Sequence, residues 1–315
     1  MINQIAVLGA GTMGHGIAET FALVGYQISL YEVNEQVRTS VMGAMKQELD
    51  FMAENGMITQ DDVAAALGRI TLFDNLKDAV SDADYVIEAA PEILSLKQDM
   101  FAELDRLCKP ACVLASNTSS LALDDMMVKV SPERKAKMMV CHWYNPAHLM
   151  PLVELSFFGN MPEDTFREVA AIYEKAGKQT AKILKDVPGL VANRIQQGVA
   201  REVFSIIEQG IANPEDVDKA LKFGPAFRYA TTGQLEVSDM GGLDIWCTVG
   251  DNLLAVMDNR QCANPLLREK VAAGQLGIKS GEGFFAYPAE QVPELKNAFH
   301  RRLIQQLQAS KNYIV

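Results

Sequence analysis

Short, wholly apolar runs alternate with amphipathic stretches over the first half of the chain, and the alternation stops near residue 186. Residues 5–8 are apolar throughout, as a strand buried on both faces of a parallel sheet requires. Residues 15–24 carry Ile17, Ala18, Phe21, Ala22 and Val24 at helical spacing and stop at Gly25. Further strands are predicted at Gln27–Tyr31, Ile70–Phe73, residues 85–90 and Val113–Ser116. Helices are predicted between them at residues 40–57, 61–67, 75–80 and 93–107. Residues 138–142 and 152–157 read as two more strands around a loop in which Pro146 and Pro151 forbid a continuous helix. Past Asp186 the period changes. Val187-Pro188-Gly189 is a break, and residues 190–209 predict one long helix with Val191, Ile195, Val199, Val203 and Ile206 on an apolar face. Asn213-Pro214-Glu215 opens another helix, and residues 243–257 predict a third. The expectation is an α/β domain over residues 1–186 and an all-α domain over residues 187–315.

The first turn of the α/β half carries chemistry. Gly9-Ala10-Gly11-Thr12-Met13-Gly14 lies between the first strand and the first helix, and Glu32 stands at the tip of the second strand. A lone GxGxxG is weak evidence, but strand, glycine turn, helix and a following acid together form the dinucleotide fingerprint of a Rossmann-type domain. In that reading Gly9 makes the tight turn, Gly11 lets the backbone approach a pyrophosphate, and Gly14 lets helix pack on strand. The helix N-terminus offers amide hydrogens to the phosphates. Glu32 accepts from ribose hydroxyls and repels a 2′-phosphate, so NAD is the expected cofactor. Glu92, Lys97, Asn117 and Ser119 follow the carboxyl ends of later strands, where an open sheet binds ligands. Ordinary turn capping is the alternative for Asn117 and Ser119.

His142 and Glu154 flank the proline-bounded loop. Imidazole exchanges a proton near neutral pH, and a carboxylate on its far nitrogen fixes the tautomer and stabilises the cation. If the two flanking strands pair, the two side chains can face each other. The alternative is a satisfied histidine and a solvated glutamate.

Composition fits an enzyme of the cell interior. The chain has 315 residues, 49% hydrophobic and 22% charged, enough for two domains with substantial cores. A net charge of −11 argues against nucleic acid and anionic membranes as partners. Five cysteines without a paired pattern suggest reduced thiols and a cytoplasmic location. Cys108 and Cys112 lack a second ligand pair nearby, and no metal site is predicted. The first strand begins almost at Met1, which leaves no room for a targeting peptide, and no apolar run is long enough to span a bilayer. The apolar faces of the C-terminal helices predict a homodimer.

The chain resembles the L-3-hydroxyacyl-CoA dehydrogenases along nearly its whole length. The matching pieces are Gly9–Gly14, Glu88-Ala89-Ala90-Pro91-Glu92 with Lys97, Ser116-Asn117-Thr118-Ser119-Ser120, and His142-Trp143-Tyr144-Asn145-Pro146. Asp186-Val187-Pro188-Gly189 with Asn193-Arg194, Gly242-Leu243-Asp244 and Lys279-Ser280-Gly281-Glu282-Gly283-Phe284 follow in the family's order. The resemblance implies that His142 and Glu154 form the catalytic pair and that Ser119 and Asn193 contact the substrate. It implies that Glu32 holds the adenine ribose, that Glu92 and Lys97 lie near the cofactor, and that Asn145 sits by the nicotinamide. Thr12, Met13, Ala89 and Lys279, standing in matching motifs, join the expected cofactor set. The implied activity is NAD-dependent oxidation of an L-3-hydroxyacyl-CoA.

Two departures from the family touch the substrate. Acyl-CoA members carry lysines on the long helix after the second strand, whereas here that helix runs Glu48-Leu49-Asp50-Phe51-Met52-Ala53-Glu54 with no lysine after Lys46. The loop reads His142-Trp143-Tyr144-Asn145-Pro146-Ala147-His148, closer to relatives that oxidise free hydroxy compounds, including the dehydrogenase of pyridoxine breakdown. A free hydroxy acid or alcohol is therefore the alternative substrate, and a non-catalytic NAD-binding protein is a third possibility. His148 reads either as a substrate contact or as a plain loop residue. The β-hydroxyacid dehydrogenases are a further rival, but they use a lysine where Asn193-Arg194 stands.

Overall fold

The computed structural model describes residues 2–312, which fall into two compact units, one ending at Val191 and the other beginning at Ala192. The first unit is built on an eight-stranded sheet. In chain order its elements are β1 (Gln4–Leu8), α1 (Thr12–Leu23), β2 (Gln27–Tyr31), α2 (Glu35–Glu54), α3 (Gln60–Leu67), β3 (Ile70–Phe73), α4 (Leu76–Val80) and β4 (Tyr85–Glu88). These are followed by α5 (Leu94–Leu107), β5 (Val113–Ser116), α6 (Leu123–Met126), α7 (Pro132–Lys135), β6 (Met138–Trp143), β7 (Leu152–Ser156), α8 (Glu163–Lys175) and β8 (Gln179–Ile183). The strand order is β3-β2-β1-β4-β5-β6-β7-β8. Every neighbouring pair is parallel except β6–β7.

The strand order reverses direction at β1. Strands β2 and β3 lie to one side and β4 to the other, so the β1–α1 turn opens at the switch point where doubly wound sheets hold ligands. The inner strands are apolar on both faces because helices cover both: Ala6, Val7, Leu8, Val86, Ile87, Leu114 and Ala115 are all fully buried. Phe101 and Leu104 of α5 close one face of this core.

Several boundaries differ from the sequence expectation. Helix α2 begins at Glu35, because the Asn34 side chain accepts from Gln36 and Val37 and caps it there. The long helix of the second unit begins at Ala192, after Leu190 adopts a left-handed backbone (φ 48°). Helix α8 and strand β8 have no counterpart in that expectation. Strand β8, Gln-Thr-Ala-Lys-Ile, is an edge strand with one buried residue, so alternation in its sequence is weak.

The second unit is helical: α9 (Ala192–Glu208), α10 (Pro214–Phe223), α11 (Pro225–Tyr229), α12 (Gln234–Gly241), α13 (Leu243–Leu253), α14 (Pro265–Ala272) and α15 (Val292–Ser310). Asn213 caps α10 with Pro214 at its first position. Phe204 of α9 stacks on Phe284 at 5.7 Å. Large apolar side chains stay exposed across this unit, among them Phe223, Phe227, Leu235, Met240 and Leu254.

Candidate active site

The glycine turn is shaped by contacts that only glycine allows. Gly9 has φ 99°, and a Cβ there would lie 2.9 Å from the Ala89 carbonyl oxygen. A Cβ on Gly14 would lie 1.7 Å from the Gly9 carbonyl oxygen, so α1 packs directly on the turn. Around Gly11 a Cβ would meet open space. Gly11 and Thr12 are exposed and Met13 is half-buried. The N-terminus of α1 has no acidic residue in its first turn and, among the described residues, no side-chain cap, which leaves its first amides available to an anion. The residues present fit a dinucleotide pyrophosphate.

Glu32, just past β2, accepts from the Ala10 amide at 2.9 Å and from the Asn34 amide at 2.8 Å. A carboxylate has about four acceptor positions, so hydroxyl donors can still be met. The Arg38 guanidinium donates to the Glu32 and Val33 carbonyl oxygens.

A buried ion pair braces the tips of β4 and β5. The Lys97 ammonium donates to both oxygens of Glu88 at 2.7 Å and lies 3.2 Å from Glu92. Lys97 is 1% exposed and Glu88 0%. Glu88 also accepts from the Ser116 hydroxyl at 2.5 Å and from the Ala90 amide at 2.7 Å. Lys97 is thus buried behind the partly exposed Glu92. Glu92 accepts from Thr118, from the Ser119 amide at 3.2 Å and from the Ser120 hydroxyl at 2.9 Å. Burial opposes its ionisation, but the hydroxyls and the Lys97 ammonium outweigh burial and hold its carboxyl below the usual range. Lys97 stands at an apolar helical position between Leu94, Phe101 and Leu104, and that spacing was the sequence signal for its burial.

His142 ends β6 and Glu154 lies in β7 as its register partner. His142 Nδ1 donates to Glu154 Oε2 at 2.8 Å, since an ionised carboxylate can only accept. In a neutral ring the Nε2 atom then keeps its lone pair. The second oxygen of Glu154 accepts from the Val191 amide at 2.9 Å. The Tyr144 ring lies 5.2 Å from the imidazole, and burial, with Glu154 adding to it, pushes the Tyr144 hydroxyl up to about 12.

Asn117 links β5 to this pair: its Oδ1 accepts from the Trp143 amide at 2.9 Å. Ser119, two residues on, lines a small cleft with Thr118, Val140 and Leu190. The Asn145–Pro146 peptide is cis, and Asn145 is exposed. Lys178, which sequence reasoning passed over, donates to the Ala147 and Met150 carbonyl oxygens at 2.7 and 2.9 Å and lies over the Trp143 ring. Its only sequence signal is a lysine between Gly177 and an edge strand.

The first unit thus gathers Gly9, Gly11, Glu32, Ala89, Glu92, Asn117, Ser119, His142 and Asn145 at strand ends and the turns after them, Thr12, Met13 and Gly14 in the first turn of α1, Glu154 across from His142, and Lys97 buried in α5. The second unit carries the other two: Asn193, half-buried in the first turn of α9, and Lys279, exposed in the turn after Gly277.

Known proteins resemble the chain over its length. A family model described as 3-hydroxyacyl-CoA dehydrogenase, NAD binding domain, matches residues 4–187, and one described as its C-terminal domain matches residues 189–287. The 5-formyl-3-hydroxy-2-methylpyridine 4-carboxylate 5-dehydrogenase of Mesorhizobium japonicum is 35% identical, over 96% of this chain and 97% of its own. A probable 3-hydroxybutyryl-CoA dehydrogenase of Bacillus subtilis is 37% identical, over 91% and 98%. Among solved structures, a 5-dehydrogenase of the same pyridine carboxylate, described as an NAD+ dependent dismutase, superposes with a TM-score of 0.88 at 32% identity, covering 97% of both chains. The (S)-3-hydroxybutyryl-CoA dehydrogenase from Ralstonia eutropha gives 0.74 at 31% identity, covering 91% of this chain and all of its own.

Proposed function

This chain belongs to the NAD-dependent 3-hydroxyacyl-CoA dehydrogenase family of oxidoreductases, and from that premise we propose that it oxidises a hydroxyl-bearing carbon of a small substrate without coenzyme A. The observation that carries the substrate choice is the charge on α2. Its Lys46 is paired with Asp50 at 2.6 Å, no further lysine or arginine follows on the helix, and its last residue is Glu54. Such a surface gives phosphates little attraction. The higher TM-score against the pyridine-carboxylate enzyme agrees with this choice.

In this reading His142 Nε2 takes the substrate hydroxyl proton, and Glu154 stabilises the imidazolium that results. Ser119 and Asn193 orient the substrate oxygen atoms. Bound NAD supplies the hydride acceptor. Gly9, Gly11, Thr12, Met13 and Gly14 cradle the pyrophosphate, and Glu32 meets the ribose. Ala89, Glu92, Asn117, Asn145 and Lys279 complete the cofactor set, with Lys97 setting Glu92. Residues 1–186 form the cofactor domain. Residues 187–315 form the substrate and dimer domain, whose exposed Leu235, Met240 and Phe223 suit a second copy of this chain. Cys108, Cys112 and Cys141 are buried thiols, which fits a cytoplasmic location. No helix among the described residues is long and apolar enough to cross a membrane.

A second reading keeps coenzyme A, favoured by the 37% identity to the probable 3-hydroxybutyryl-CoA dehydrogenase. NADH absorbance with a panel of free hydroxy acids, pyridine alcohols and hydroxyacyl-CoA esters separates the two. Turnover of free compounds with none on thioesters supports the first reading, and the reverse supports the second.

A further inference from the structure

Four titratable side chains that the proposed reaction does not use meet inside the first unit. His15 and Glu19 lie one turn apart on α1, Glu48 comes from α2, and His148 from the loop between β6 and β7. Ligand atoms of Glu19, Glu48 and His148 all lie within 4.8 Å of one another. His148 Nδ1 is 3.2 Å from Glu48 Oε2 and 3.9 Å from Glu19 Oε2. His15 Nδ1 donates to the Gly11 carbonyl at 2.8 Å, and its Nε2 is 3.2 Å from Glu48 Oε1. A Cβ on Gly16 would lie 3.2 Å from the Ala147 Cβ and 3.4 Å from His148 Nδ1, so a glycine there brings the loop down onto α1.

Glu19 poses the physical problem. It is 0% exposed, and neither of its oxygens has a hydrogen-bond partner among the described residues. A buried carboxylate without hydrogen bonds costs several kcal/mol. Burial, with Glu48 beside it, pushes its carboxyl well above the usual range. Proton sharing with Glu48 would meet one Glu19 oxygen and leave the other bare, whereas a cation between the two carboxylates and the imidazole meets both acids.

We propose that Glu19, Glu48 and His148 bind one divalent ion of the zinc class. Two carboxylate oxygens and an imidazole nitrogen are ligands that zinc and its first-row neighbours accept, at about 2.0–2.2 Å. Tetrahedral geometry at that length sets ligand atoms about 3.4 Å apart, so side-chain rotations of about 1 Å close the set. Two carboxylates and a neutral imidazole balance a dication. His15 Nε2 lies 3.2 Å from the other oxygen of Glu48 and packs beside it. The ion joins the helix after the glycine turn, α2 and the loop after His142, so its role is to hold these three segments together. The ligands share no motif spacing, which is why the sequence predicts no metal.

The test uses the full chain stripped with a chelator and then given Zn2+ or Co2+ alone. The expected result is one metal per chain after gel filtration, a raised Tm, and a cobalt absorption spectrum without a sulfur-to-metal charge-transfer band. Glu19→Gln and His148→Gln should weaken binding by about tenfold or more and abolish the Tm shift. Cys247→Ser/Cys262→Ser should retain both. Failure of the wild-type chain to retain stoichiometric metal overturns the proposal. So does a cobalt–thiolate band in the wild-type chain, a readout that needs no variant to fold. Undiminished binding by folded Glu19→Gln overturns it as well. NADH production enters none of these readouts, so a failure here leaves the proposed reaction standing.

Discussion

His142 and Glu154 are register partners across the antiparallel β6–β7 pair, with the imidazole Nδ1 2.8 Å from the carboxylate. Glu154 is fully buried and also holds the Val191 amide, so it cannot swing away from the ring. In the proposed reaction this leaves the Nε2 lone pair of a neutral ring free to take the proton and would offset the positive charge that results. Glu154→Gln removes that charge while keeping the shape. Turnover should fall on the order of 100-fold with NAD affinity retained, as read from NADH absorbance and a binding titration.

Gly14→Ala should weaken cofactor binding. The added Cβ would lie 1.7 Å from the Gly9 carbonyl oxygen, and that atom belongs to backbone. The turn must move, and the amides at the start of α1 move with it. Isothermal titration should show NAD affinity lowered by about tenfold or more, while circular dichroism remains helical.

Lys97→Met should destabilise the first unit by about 3–5 kcal/mol, because Glu88 would stay buried without its ammonium. Adding Glu88→Gln should recover much of that loss, since the uncompensated charge is gone. Urea denaturation of both variants checks the pair.

Lys178 gives a pH signature. Burial lowers its ammonium to about 7, while in the unfolded chain it stays near the model-peptide value of about 10.4. Between these values the unfolded chain holds a proton that the folded chain has lost, so stability rises with pH. The benefit is complete above about 10.4 and is lost as pH falls through about 7. The neutral amine keeps two N–H groups for the Ala147 and Met150 carbonyls. Lys178→Met should be less stable, and the wild-type-minus-variant difference should grow with pH over this window. Chemical denaturation from pH 7 to 9.5 measures that difference.

The α/β half was legible because its inner strands are buried on both faces, so they appear as unbroken apolar runs. The glycine turn was legible because Gly9 and Gly14 answer local backbone needs. Strand β8 was not, because an edge strand with one buried residue leaves little alternation. The pairing of His142 with Glu154 needed only an antiparallel turnback, which the two prolines suggested. The Glu19–Glu48–His148 cluster was illegible because its members come from three segments and meet only through packing. Lys178 was missed for the same reason: its partners are carbonyls 28 and 31 residues away.

A double-mutant cycle on His142 and Glu154 tests the proposed mechanism most directly. His142→Gln alone should lower turnover on the order of 100-fold or more while leaving NAD affinity nearly unchanged. Glu154→Gln on top of it should cost almost nothing further, because the carboxylate acts through the imidazole. Two full, additive losses, or unchanged turnover in His142→Gln, would contradict that mechanism.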